Sequence, residues 1–170
     1  STDSPGPITR SVADAALIAA VIAGHDQYDA TSSPKPAEKY HSLLNLSDLK
    51  GIKVGLVKEY LLPTMRSEVK ELIRNAAKHL ESLGAEVKEI SLLDPKYAIG
   101  VYTVIQRSEV SSNLARFDGI RYGHGRERFG AEAKRRIMLG TYTLSAGYYD
   151  AYYKKAMAVR TRIVSEFEAA

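Results

Sequence analysis

The stretch IKVGLVKEYLLPTMRSEVKELIRNAAKHLESLGAEVKEISL, residues 52–92, decides the fold. Its opening, IKVGLV (52–57), is a short and mostly aliphatic run of the kind that forms a buried strand. From 67 to 83 the apolar residues Val69, Leu72, Ile73, Ala76, Leu80 and Leu83 recur at three- and four-residue spacing, which puts them on one face of a helix, and Gly84 is placed to end it. Residues 86–92 return to strand character. A strand, a helix and a second strand in this order predict a βαβ unit with parallel strands, because a parallel pair needs a long crossover and a helix supplies it. Two strands alone make a poor parallel sheet, which wants cover on both faces and more strands. The rest of the sheet is therefore expected from residues outside this chain.

Composition bounds what surrounds that unit. A chain of 170 residues, 45% hydrophobic and 26% charged, falls in the size and composition range of one globular domain. The absence of cysteine excludes a disulfide framework, a thiolate zinc site and a cysteine nucleophile. No uninterrupted apolar run approaches the roughly 20 residues of a membrane helix. The opening STDSPGP lacks the basic-then-apolar order of a signal peptide, so a cytoplasmic location is expected. The net charge of +4 admits an anionic partner without requiring one.

On the N-terminal side, residues 11–23 read as a short helix. Ser11 and Asp14 fit a capping box, and the alanines at 13, 15, 16, 19, 20 and 23 give a narrow rod expected to be buried on more than one side. Residues 24–49, with Asp26, Asp29, Pro34 and Pro36, read as a surface loop region within the same domain. After Pro95 the pattern turns helical, over roughly 97–117, 131–145 and 147 onward. Neither end carries a finishing signal, and both are expected to be cut ends. The last of these stretches, KRRIMLGTYTLSAGYYDAYYKK (134–155), holds tyrosines at 142, 148, 149, 152 and 153. On a regular helix Tyr148 and Tyr152 share a stripe with Val159 and Ile163, while Tyr149 and Tyr153 fall on the next stripe. Rings that bury their bodies and keep wet hydroxyls suit a helix at an interface, and equally one packed with its hydroxyls at the surface.

Motifs alone mark no standard site. The glycines at 119, 123, 125 and 130 neither follow a strand nor match a phosphate loop. His25, His41, His79 and His124 lack metal spacing, and no metal site is expected. No serine stands in a nucleophile elbow. Between 107 and 136 the sequence holds eight Arg or Lys against four acids (Glu109, Asp118, Glu127 and Glu132), with the tyrosine-rich stretch beyond. Such interleaving can bind RNA through phosphate contacts and stacking, and a basic RNA-binding α/β module is one reading. Arginines that snorkel or pair with acids on a solvated face are the other.

Larger patterns carry a resemblance. STDSPGPITRSVADAA (1–16), leading to VIAGHD (21–26) and DATSS (29–33), resembles the segment that follows the nucleophile region in the amidase signature family. Within that family, SSNLARFDGIRYG (111–123) and residues 134–155 resemble the A subunits of the tRNA-dependent amidotransferases that act on Glu-tRNA(Gln) or Asp-tRNA(Asn). The resemblance implies an α/β amidase-signature fold, a mixed sheet flanked by helices, of which residues 1–170 form an incomplete central portion: a βαβ unit plus C-terminal long helices. It implies hydrolysis of glutamine to supply ammonia for amidation of the charged tRNA. The partners implied are the amidotransferase B and C subunits. ATP and Mg would belong to one of these partners, with no cofactor in this chain. The family's Ser, cis-Ser, Lys triad is expected before Ser1, so no catalytic residue is assigned here and the chain by itself is expected to be inactive. Another amidase-signature hydrolase, acting on a different amide, is the alternative within the family.

By the same resemblance, Tyr102 and Arg136 correspond to a tyrosine and an arginine that hold free glutamine, the guanidinium forking its α-carboxylate. On a helix Arg136, Gly140 and Thr143 share a face, and the small residues are expected to leave room beside the arginine. The plain alternatives are a surface ion pair for Arg136 and ordinary packing for Tyr102. An acid for the α-amino group is expected after Ala170. Two departures stand out: only HGRERFG (124–130) occupies what is usually a longer excursion, and Gln106-Arg107 stands where small residues or proline are usual, which touches packing near Tyr102.

Overall fold

In the computed structural model the described residues are 1–170 apart from Asp3, Leu46, Ser47, Asp118 and Ile120. Asp118, one of the four acids counted above, and Ile120 of the same motif thus lie outside the described residues. Strand β1 (Lys53–Val57) and strand β2 (Glu86–Ile90) pair in parallel, from Lys53 opposite Glu86 to Val57 opposite Ile90. Helix α2 (Ser67–Ser82) crosses between them. It ends as its sequence asks. Gly84 takes φ +101°, its N–H donates to Glu81 O at 2.9 Å and the Ala85 N–H to Leu80 O at 3.0 Å, the paired bonds of a Schellman stop. Chain direction is thereby reversed into β2 within three residues.

Helix α1 (Val12–Ile22) starts at Ser11, whose hydroxyl accepts from the Asp14 N–H at 3.1 Å. The expected burial on several sides is not found. Ala16 alone is buried, and Val12, Leu17 and Val21 stand in the open, Val21 at 84% exposure. Its main neighbour within the chain is the 3₁₀ segment Tyr40–Asn45, which covers one side of a rod whose composition is apolar on all sides.

The C-terminal half is helical. Helices α3 (Lys96–Leu114) and α4 (Ala131–Leu144) make the most extensive contact of the molecule, and helix α5 (Lys155–Ala169) lies against α3. The seam of α3 and α4 is built from small and hydroxylic residues. Ile105 and Ser108 are 1% and 2% exposed; Ser108 Oγ pairs with Thr143 Oγ1 and Ser111 Oγ with Thr141 Oγ1, both at 2.8 Å. At Gly140 the helices come closest: a Cβ there would sit 1.9 Å from Arg107 O. Only glycine admits that approach.

Two carboxylates fasten the segment that follows β2, one from the end of β1 and one from α5. Glu59, just past β1, accepts from the Leu92 N–H at 3.1 Å and from the Ser91 hydroxyl; that hydroxyl is the main reason its carboxyl is held below the usual range. Glu166 on α5 accepts from the Leu93 N–H at 2.5 Å and from Arg162 Nε at 2.9 Å. A backbone N–H bonded to a carboxylate is stronger than a neutral pair. Glu166→Ala is expected to lower unfolding free energy by about 1–2 kcal/mol in urea titration, with the m-value unchanged. Gly140→Ala is expected to cost about 1–3 kcal/mol in the same measurement, since the added methyl forces α3 and α4 apart.

Candidate functional site

The two residues assigned to glutamine by resemblance sit on the two helices that cross. Tyr102 lies in the first half of α3 and Arg136 in the first half of α4. Both are partly open to solvent, Tyr102 at 49% and the Arg136 side chain at 38%. The crossing brings them together. Arg136 is pushed above its ordinary pKa chiefly by its hydrogen bond to Glu132 and by that carboxylate's charge, and the Tyr102 hydroxyl acts on the same guanidinium in the same direction. The Tyr102 ring also lines a cleft of about 420 Å³, with Gln106, Glu109, Val110 and Asn113 further along α3.

Glu132 is the neighbour that sequence reading did not single out. Arg136 Nε donates to its Oε1 at 2.8 Å, and Arg135 Nη1 donates to its Oε2 at 3.1 Å. The signal was in the sequence, since a glutamate four residues before an arginine is the favourable order on a helix. The hydrogen bond from Arg136 is the largest cause holding the Glu132 carboxyl below its ordinary range; burial opposes it, and the charges of Arg136, Arg135 and Arg107 add to it. Three guanidinia thus act on the Glu132 carboxylate, and Glu109 is a second carboxylate, lining the Tyr102 cleft.

The expected open space beside Arg136 is differently used. The face shared by Arg136, Gly140 and Thr143 is taken up at Gly140 by the α3 backbone, and at Thr143 by Ser108. Small residues on this face admit a helix, and Tyr102 acts on the Arg136 guanidinium from α3. The Gln106-Arg107 departure has a visible consequence: Gln106 Oε1 and Arg107 Nε are buried without a hydrogen-bond partner, while Arg107 Nη1 donates to Thr103 O at 3.3 Å. Several arginines of the basic stretch are engaged within the chain. Arg116 donates to Asn113 Oδ1 at 2.8 Å, Arg126 to Ala115 O at 2.6 Å, and Arg135 and Arg136 to Glu132.

The tyrosine-rich stretch is not a plain helix. Residues Tyr149–Lys154 form a π-helical turn that runs into α5, a widened geometry often found at functional sites. Ring pairing follows the expected stripes, with centroids 6.0 Å apart for Tyr148 and Tyr152 and 5.2 Å for Tyr149 and Tyr153. The turn also brings Tyr142 of α4 to 4.1 Å from Tyr148, and their hydrogen bond is the main cause that pushes the Tyr142 hydroxyl up to about 12.

A parallel βαβ unit thus leads into crossed helices, one carrying Tyr102 and the other Arg136. The model of the Amidase family matches residues 1–170, and the chain belongs to that family. It is similar to the A subunit of glutamyl-tRNA(Gln) amidotransferase from Thermodesulfovibrio yellowstonii, at 51% identity over 184 aligned residues, covering 100% of this chain and 38% of the relative. The A subunit from Fusobacterium nucleatum matches at 50% over 183 residues, covering 99% of this chain and 37% of the relative. The crystal structure of the A subunit from Thermotoga maritima superposes with a TM-score of 0.65 at 36% identity, covering 96% of this chain and 34% of that one. The expected amidase fold is thus found. The chain spans less than two-fifths of the length of the curated relatives it matches. The first alignment is longer than the chain, so that relative holds residues this chain lacks.

The depressed carboxyl gives a pH signature. Its folded value lies below its unfolded one, so the stabilisation from the Glu132 pair is complete above the ordinary glutamate range and is lost as pH falls through the depressed value. In a ¹³C carboxyl NMR titration Glu132 is expected to titrate below an ordinary glutamate, and to move back up in Arg136→Ala.

Proposed function

We propose that residues 1–170 are the central portion of one amidase domain, within a larger polypeptide that hydrolyses glutamine and passes the ammonia to a partner. There it amidates activated Glu-tRNA(Gln) or Asp-tRNA(Asn). The observation that carries this reading is the match over the whole chain, at about half identity, to A subunits named for glutamyl-tRNA(Gln), with Arg136 and Tyr102 on the two helices that cross. An arginine fork matches the α-carboxylate of a free amino acid, and a phenol beside it can hydrogen-bond the same group. Arg136 and Tyr102 are then the glutamine-binding residues, and the nucleophilic serine, its bridging serine and the lysine act from upstream of Ser1 in the full-length protein.

The exposed surface supports the domain assignment. The chain exposes 13370 Å², whereas a self-contained monomer of 18.7 kDa exposes about 8,300 Å². Large apolar side chains stand exposed, among them Val12, Val21, Leu72 and Met138, as expected of elements that pack into a larger body. The partners proposed are the amidotransferase B and C subunits, with charged tRNA reached through the complex and ATP and Mg used on one of those partners. The proposed location is the cytoplasm; among the described residues no helix is long and apolar enough to cross a membrane.

The reading is tested in the full-length protein together with its partners. Arg136→Ala is expected to raise KM for glutamine by roughly 10- to 100-fold, the size of a lost charge-assisted hydrogen bond, with little change in kcat. A small amide without an α-carboxylate is expected to be hydrolysed as before. Equal losses on both amides would remove the ligand role and leave a hydrolase of some other amide. Salt-sensitive binding of tRNA by the chain without partners would instead favour the RNA-binding module.

A further inference from the structure

Arginine can fork a carboxylate through either of two edges: the side edge, made by Nε and one Nη, or the end edge, made by both Nη groups. In this structure the side edge of Arg136 is already committed, because Nε donates to Glu132 Oε1 at 2.8 Å. The second oxygen of Glu132 is committed as well, accepting from Arg135 Nη1 at 3.1 Å. Glu132 is therefore held from both sides on its own helix, one turn before Arg136, and acts as an anchor for that side chain. What remains of the Arg136 guanidinium is its end edge, and Tyr102 acts on that guanidinium from α3.

From this geometry we infer that Glu132 is a positioning residue, which fixes the rotamer of Arg136 so that only the Nη edge is presented and the α-carboxylate of glutamine is read end-on beside Tyr102. The inference rests on the glutamine reading given above and deepens it. A long, partly exposed arginine on its own samples many rotamers, and fixing one of them before the ligand arrives removes that ordering from the binding step. Glu132 does this without neutralising the site. Its single negative charge is shared among Arg135, Arg136 and Arg107. A bare ion pair on a helix surface would serve no such end, and the two ideas differ in what they predict for binding.

The test uses the full-length protein in its complex, with glutamine and a small amide without an α-carboxylate as the two substrates. Glu132→Ala is expected to raise KM for glutamine by roughly tenfold and to leave kcat within about twofold, while the second amide is unaffected. Glu132→Gln keeps an oxygen that accepts from Arg136 Nε and is expected to recover most of that loss. In an Arg136→Ala background, Glu132→Ala is expected to add nothing, because the residue it positions is gone. If Glu132→Ala leaves KM for glutamine unchanged, lowers it, or impairs both amides alike, the positioning role is overturned. A silent Glu132→Ala beside an effective Arg136→Ala would overturn this inference alone, whereas a silent Arg136→Ala would overturn the glutamine reading beneath it.

Discussion

The close approach of α3 and α4 at Gly140 is the constraint on which the rest of the structure depends. With Arg107 O placed where a side chain would otherwise begin, the helices meet nearly backbone to backbone. The hydrogen bonds across the seam are correspondingly short-armed, made by Ser108, Ser111, Thr141 and Thr143. Each hydroxyl also bonds a carbonyl of its own helix or a partner across the seam, so little polarity is buried unmet there. Such a seam contributes less hydrophobic free energy than a leucine seam, but it fixes the spacing of the helices tightly. Residues one or two turns away inherit that spacing.

Tyr102 and Arg136 are those residues. Neither is held by deep burial; the crossing sets the helices that carry them, and Glu132 holds Arg136. The site therefore combines a backbone-level constraint with a side-chain one. The first sets which helix faces meet, and the second sets which edge of a guanidinium is left free. The orphaned Gln106 Oε1 and Arg107 Nε mark where this arrangement is imperfectly satisfied, on the same turns of α3 that frame the cleft.

The sequence makes the local parts of this legible and hides the non-local ones. Strands expected at 52–57 and 86–92 form at Lys53–Val57 and Glu86–Ile90, and the helix expected to stop at Gly84 stops there, because period and turn chemistry are written within a few residues. Helices α3 and α4 begin and end within about three residues of their expected bounds. Gly140 reads only as a weak helix position, since the partner that requires it lies more than thirty residues earlier in the chain. The π turn at Tyr149–Lys154 is not legible either, because its residues read as an ordinary helix. The place of Arg136 and Tyr102 comes from family resemblance, not from periodicity. The Glu132 pair is available by spacing alone.

Helix α1 shows what local rules cannot supply. Its Ser11 cap forms as written, which confirms that the signals for starting a helix act locally. Its apolar character on all sides, by contrast, is a statement about neighbours, and among the described residues its main neighbour is the 3₁₀ segment Tyr40–Asn45. A capped helix with uncovered valines and leucines has its secondary structure specified by its own sequence and its stability by what packs over it. The same division holds for the two-stranded sheet and for the half-open arginine of α4. In each case the element forms from local chemistry, and the value of that chemistry, whether to folding or to ligand binding, depends on the surfaces brought against it.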